Sequence, residues 1–231
     1  KNDQRAAIFF YDEVKKEWVE VGGTVSGNQI SVEVNHFTKY AVLAVSKSYE
    51  VKLNFSDTTG HWAESMIQQA VSEGIVNGYR DGTFKPNQTV TRAEFVVMLM
   101  NTLGAQGEGT TLTFTDTSKI GVWAQTAVAQ AVQAGLITGY ADGSFHPDSE
   151  ITRAEVAVMI GRVLRLAVES DAATGFADDN DISSWAKGAV AAMKKLGIIE
   201  GTGANKFNSD AKATRAEAVI ILLRMLEQQS K

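Results

Sequence analysis

The tetrapeptide Thr-Arg-Ala-Glu occurs three times, at residues 91–94, 152–155 and 214–217, with its arginines 61 and 62 residues apart. A fixed period of this kind marks a repeated supersecondary unit. Other positions keep the same register. Trp62, Trp123 and Trp185 each stand 30 residues before the arginine, and Gly74, Gly135 and Gly197 follow 12 after their tryptophan. Gly78, Gly139 and Gly201 come four later, and Phe84, Phe145 and Phe207 stay in step. Phe55, Phe114 and Phe176 precede Asp57, Asp116 and Asp178 upstream. The repeats span about 55–104, 114–166 and 176–227.

Each repeat reads as helix, tight loop, helix. In the first, Trp62, Met66, Ile67, Ala70 and Val71 recur at helical spacing, and Gly74 is placed to end the helix in the left-handed conformation. The loop Gly78-Tyr79-Arg80-Asp81-Gly82-Thr83-Phe84, copied at Gly139-Tyr140-Ala141-Asp142-Gly143-Ser144-Phe145, carries an Asp-Gly turn signal. Thr91 and Glu94 form a capping box that opens the second helix. That helix is apolar on nearly every side (Phe95, Val96, Val97, Met98, Leu99, Met100), as is Val219 to Leu223 in repeat 3. Such a helix must be buried, and three units can bury one another's second helices where one cannot. The expected fold is therefore mainly α: a pseudo-threefold trimer of helix-loop-helix repeats with buried central helices, over residues 49–231. The connectors at 105–111 and 169–174 are polar or acidic. Residues 1–48 differ. Short β-branched or aromatic runs at 7–11, 18–21, 29–34 and 40–45, punctuated by Gly22-Gly23 and Ser26-Gly27-Asn28, predict a small antiparallel β segment. So few strands are marginal alone, which suggests the C-terminal part of a larger β-rich module.

Composition excludes several functions. A net charge of −5 gives no global basic field for nucleic acid. No apolar run approaches a membrane-spanning length, so no membrane insertion is expected. Without cysteine there are no disulfides and no thiolate metal sites. His36, His61 and His146 are scattered, the Asp81-Gly82 and Asp142-Gly143 turns offer too few acids for calcium, and no metal or cofactor is expected. No nucleophile elbow or phosphate loop is present, so the chain is expected to have no catalytic activity of its own. It starts at Lys1 without a leader pattern and reads as a piece of a longer exported protein.

The pattern Phe-x-Asp, Trp-Ala, Gly-x-x-x-Gly-Tyr-x-Asp-Gly-x-Phe-x-Pro and Thr-Arg-Ala-Glu resembles the S-layer homology (SLH) family. The stretch from Val19 to Val42 is similar to β modules that precede such repeats. The resemblance implies a three-pronged unit with grooves between neighbouring repeats. These grooves bind secondary cell-wall polysaccharide bearing pyruvate ketals, often on N-acetylmannosamine. It also implies a secreted, cell-wall location on a Gram-positive surface. Carried over, Arg92, Arg153 and Arg215 contact the ligand. Physical chemistry agrees: a pyruvate ketal presents a carboxylate, Arg binds carboxylate in paired charge-assisted bonds, and free N–H groups at a helix start favour an anion. The candidate ligand set is completed by Asp57, Asp116, Asp178, Trp62, Trp123, Trp185, Gly78, Gly139 and Gly201.

Each of these positions also has a structural reading. The arginines can pair with Asp57, Asp116, Asp178 or a Thr-Arg-Ala-Glu glutamate; the tryptophans can be core; the glycines can be turn formers. Under the ligand reading, replacing Arg153 weakens wall binding and leaves the melting temperature nearly unchanged. Repeat 3 departs from the pattern, with Thr202 in place of tyrosine and Ser209 in place of Pro86 and Pro147, which puts its groove in doubt. Two other functions fit the pattern: a protein–protein assembly module of a surface lattice, and the anchor part of a wall-bound polysaccharide hydrolase.

Overall fold

A computed structural model describes residues 4–12, 16–22, 24–27, 29–34, 38–46, 55–79, 81–166 and 172–229. Gly23, Asn28, His36, Arg80 and the stretch 167–171 of the acidic connector lie outside the described residues. The chain divides into two compact units, Lys1–Lys52 and Leu53–Lys231.

Among the described residues the first unit holds five strands: β1 (Gln4–Asp12), β2 (Glu17–Gly22), β3 (Thr24–Ser26), β4 (Gln29–Ser31) and β5 (Tyr40–Ser46). β1 is central in a three-stranded antiparallel sheet of order β2-β1-β5, with Phe10 opposite Val19 on one side and Tyr40 on the other. The neighbours Ala7 and Ile8 point to opposite faces and are both buried, as a central strand allows. β3 and β4 form a separate two-stranded hairpin. β3 is short and exposed throughout, so it carries no alternation for the sequence to reveal.

The second unit contains α1 (Glu64–Ser72), α2 (Arg92–Thr102), α3 (Val122–Gln133), α4 (Arg153–Val163), α5 (Ser184–Lys195) and α6 (Arg215–Gln229). The first helix of each repeat ends at Gly74, Gly135 or Gly197, with φ of +74°, +71° and +71°. Past each glycine, the amides of Ile75, Leu136 and Ile198 reach back to Ala70, Ala131 and Met193, closing the end in a Schellman-type cap. The expected capping boxes open α2 and α4. α6 has the same reciprocal bonds between Thr214 and Glu217.

The second helices are buried on nearly all sides, as their sequences require. What buries them is the next repeat. α2 packs on α3, α4 on α5 and α6 on α1, while α2 and α4 both touch α6. The helix pairs therefore straddle repeat boundaries, and the third closes back on the first. At the centre the segments before the second helices join in a ring. Val90 N–H donates to Ala213 O, Ala213 N–H to Ile151 O and Ile151 N–H to Val90 O, each at 3.0 Å. One core runs through all three repeats, and in each a pair of rings is part of it: Phe55 with Phe84, Phe114 with Phe145, Phe176 with Phe207.

Candidate functional site

The junctions between repeats are built by the starts of the second helices. The amides of Arg92 and Ala93 donate to Ser149 O and Pro147 O of repeat 2. Those of Arg153 and Ala154 donate to Ala211 O and Ser209 O of repeat 3, and those of Arg215 and Ala216 to Gln88 O and Pro86 O of repeat 1. The third amide of each helix is taken by the capping threonine. This corrects the expectation of free N–H groups for an anion: at the start of each second helix the first two amides are taken by carbonyls of the following repeat and the third by the helix's own threonine. It also explains why Ser209 can replace proline, since the position supplies a carbonyl rather than a ring.

The three arginines sit in these junctions, each only 6–7% exposed. In the first junction, between repeats 1 and 2, Arg92 bonds Thr138 O (3.0 Å) and pairs with Glu155 (3.4 Å). Its guanidinium lies over the rings of Tyr140 and Phe145. In the second, Arg153 bonds Phe207 O (2.8 Å) and Glu200 O (3.1 Å), pairs with Glu217 (2.9 Å) and covers the Phe207 ring. In the third, where repeat 3 meets repeat 1, Arg215 bonds Phe84 O (3.0 Å) and Asn77 O (3.1 Å) and lies over Tyr79 and Phe84. Of the pairings open in the sequence, the glutamate of the following repeat is formed twice. The aspartates pair with none of the three.

Asp57, Asp116 and Asp178 instead tie the start of each repeat to its loop. Each carboxylate accepts two consecutive backbone N–H groups, from Phe84 and Lys85, Phe145 and His146, or Phe207 and Asn208, at 2.7–2.8 Å. The second residue of each pair is a non-glycine with φ near +55° (Lys85 57°, His146 56°, Asn208 54°), a conformation the two bonds hold in place.

The remaining candidates divide. Gly78, Gly139 and Gly201 do not adopt positive φ, so the turn-former reading is corrected. A Cβ on Gly78 would lie 1.8 Å from the Phe55 ring, and one on Gly139 would meet Ser144 O at 2.8 Å and Phe114 at 2.9 Å. Close packing thus requires glycine at 78, against a ring, and at 139, against a carbonyl and a ring, while a Cβ on Gly201 would meet Asn205 at 3.1 Å. The core reading of the tryptophans is also corrected: Trp62, Trp123 and Trp185 are 66%, 61% and 59% exposed. The fully buried residues are the alanines that follow them, Ala63, Ala124 and Ala186, in line with Ile67, Val128 and Val190 four residues on. The tryptophans do not cover the arginines; tyrosine and phenylalanine rings do. In repeat 3 the backbone bond Thr202 N to Lys206 O matches Tyr79 N to Thr83 O and Tyr140 N to Ser144 O, while the residues between take a different path, with positive φ at Ala204 and Asn205 where repeat 2 has it at Gly143 alone. Lys85, His146 and Asn208 stand in fixed register one past the phenylalanine, a signal the sequence reading does not use, since it weighs His146 only as a scattered histidine.

Charge in the first junction is balanced internally. Burial, then the hydrogen bond to Glu155, pushes Tyr140 up to about 12, so its phenol remains a donor. Burial would raise Glu155, yet Thr152, Tyr140 and Arg92 hold its carboxyl below the ordinary range. Burial likewise works against Asp116 and Asp178, and their paired amide bonds still hold both carboxyls low. A lowered folded-state value means stability that is present above the unfolded carboxylate range, about 3.9, and lost as pH falls through the folded value. Melting temperature is therefore expected to fall as pH drops below about 4. Asp178→Asn is expected to start lower at neutral pH and to decline less steeply in acid. Parallel acid limbs in thermal melts would show that Asp178 carries none of that dependence.

Among the described residues no helix is long and apolar enough to cross a membrane, and no three acids or histidines gather so as to hold a metal ion. Residues 54–96, 113–157 and 175–219 each match the family model described as S-layer homology domain. The chain belongs to the S-layer homology family. The three SLH matches coincide with the three structural repeats. The chain is 37% identical over 98% of its length to an amylopullulanase of Thermoanaerobacterium thermosulfurigenes, covering 12% of that protein. It is 38% identical over 77% of its length to the exoglucanase XynX of Acetivibrio thermocellus, covering 17% of it. It is 34% identical over 67% to a cellulosome-anchoring protein of the same organism, covering 36%. The SLH chain thus spans only a minor part of each of these relatives.

Proposed function

We propose that this chain is a non-covalent anchor that holds its protein on the bacterial cell surface by binding secondary cell-wall polysaccharide with pyruvate ketals on N-acetylmannosamine-type sugars. The observation that carries this reading is the arrangement at the junctions: each has one fixed guanidinium from one repeat lying over an aromatic ring of the next. A planar cation held beside a ring suits a ligand that combines a carboxylate with an apolar sugar face. In this reading the carboxylate is taken from among Arg92, Arg153 and Arg215, and the exposed Trp62, Trp123 and Trp185 are stacking platforms. Asp57, Asp116 and Asp178, with Gly78, Gly139 and Gly201, hold the loops thin and close. A relative named for anchoring a cellulosome supports it, as do relatives named as enzymes that share this region. Catalysis would belong to other parts of such a protein.

The net charge of the chain is −5, so long-range attraction to an anionic polymer cannot drive the encounter and recognition is local. Calorimetric titration is expected to show binding of a pyruvylated sugar and loss of most of it for the non-pyruvylated twin. Added salt should weaken binding only modestly, because a largely buried cation is poorly screened. Equal affinity for both sugars with a steep salt dependence would replace the junction reading with diffuse contact. No binding to protein-free wall sacculi would favour the lattice-assembly function.

A further inference from the structure

We propose that the third junction, where repeat 3 closes on repeat 1, is the groove that takes the ligand's anionic group, with Arg215 and Lys85 as its two cationic contacts. The inference rests on the wall-anchoring reading and specifies where that reading acts.

The three junctions share a backbone plan but differ in charge balance. Arg92 is paired with Glu155, and Tyr140 donates to the same carboxylate. Arg153 is paired with Glu217 at 2.9 Å. Cyclic order would give Arg215 the equivalent Glu94, but no such pair forms, and Glu94 only caps its own helix. Arg215 has carbonyls for partners and no carboxylate among the described residues. The orphan Nε of Arg92 does not compete as a ligand donor, since that atom is shut off from solvent.

A second cation shares the Tyr79 ring with Arg215. Lys85 Nζ lies 4.2 Å from the centre of the Tyr79 ring, and the Arg215 guanidinium lies 4.9 Å from the same centre. Lys85 forms no ion pair among the described residues. Asp81, the acid whose charge it influences, is bonded to Thr83 through its own loop. Two like charges gathered on one ring repel each other, and the face of the ring offsets this only in part. An anion bound within reach of both offsets the repulsion and gains charge-assisted bonds. In the other junctions an incoming carboxylate would meet Glu155 or Glu217 and be repelled. The residue equivalent to Lys85 is His146 in the first junction, set edge-on to Tyr140 and beside Asp142. In the second it is Asn208, bonded to Thr202, so that position carries no charge.

The test uses the whole chain and two matched variants. Lys85→Met and His146→Met alter equivalent positions with the same positive φ, so any backbone cost is shared. Each is titrated calorimetrically with a methyl glycoside of N-acetylmannosamine carrying a pyruvate ketal and with its unketalised parent, and thermal melts confirm folding. The expected result is that Lys85→Met loses at least about tenfold in affinity for the ketal while His146→Met stays within about twofold. Binding retained by Lys85→Met, or lost equally by both variants, would overturn the assignment to the third junction and leave the anchoring reading standing. A native chain that does not distinguish the ketal from its parent would overturn both.

Discussion

Replacing Arg153 by alanine is expected to lower the melting temperature of the SLH unit by on the order of 10 °C, in the absence of any ligand. Arg153 is 7% exposed and spans three acceptors of the next repeat: Phe207 O, Glu200 O and the Glu217 carboxylate. Truncation leaves a half-buried glutamate without its cation and two carbonyls without donors. Breaking a buried pair from one side costs about 3–5 kcal/mol. Lysine keeps the charge but cannot present a planar fork to three acceptors, so Arg153→Lys should recover only part of the loss. Calorimetric melts of the three chains check this. An unchanged melting temperature together with lost sugar binding would restore the role expected from sequence, an arginine held ready for ligand. The structure orders the two effects the other way. In the second junction the arginine joins two repeats, with donors already engaged by Phe207 O, Glu200 O and the Glu217 carboxylate.

The sequence shows a great deal here because repetition makes three copies speak for one another. The helices, their caps, the Asp-Gly turns and the burial of α2, α4 and α6 all follow from local pattern. What escaped local pattern is the identity of partners. Asp57 binds amides 27 and 28 residues away. Arg215 bonds a carbonyl 131 residues away in repeat 1. No periodicity reports such pairs. The tryptophans misled for a related reason. A large ring at the edge of an apolar stripe reads as core, yet one residue is 100° of helix, and it is the small alanine beside each tryptophan that faces inward. Gly78 shows the limit from the other side. Its role lies in the space that the Phe55 ring occupies, which a linear reading does not contain. The unequal charge of the three junctions was legible only in part. The Thr-Arg-Ala-Glu copies are identical, and the difference lies in which copy of glutamate each arginine reaches.

Removing the third repeat should cost more than any single substitution. In an open solenoid each repeat rests on its neighbours and a terminal unit can be lost with a proportionate drop in stability. This unit is closed instead: α6 packs on α1, and the ring of Val90, Ile151 and Ala213 needs all three members. A chain ending at Leu166 leaves Val90 N–H without its acceptor and Ile151 O without its donor. It also strips α4 of α5 and α1 of α6, leaving the apolar faces around Ile67 and Ile160 without the helices that cover them. Arg153 loses every partner named above. The expected outcome is a chain that aggregates, or stays compact but melts without a cooperative heat-absorption peak. Adding residues 172–231 as a separate polypeptide should restore cooperative melting, because the missing contacts are non-covalent. A two-repeat chain that remains soluble and monomeric and melts in one sharp transition would show that closure of the ring is not what holds the SLH unit together.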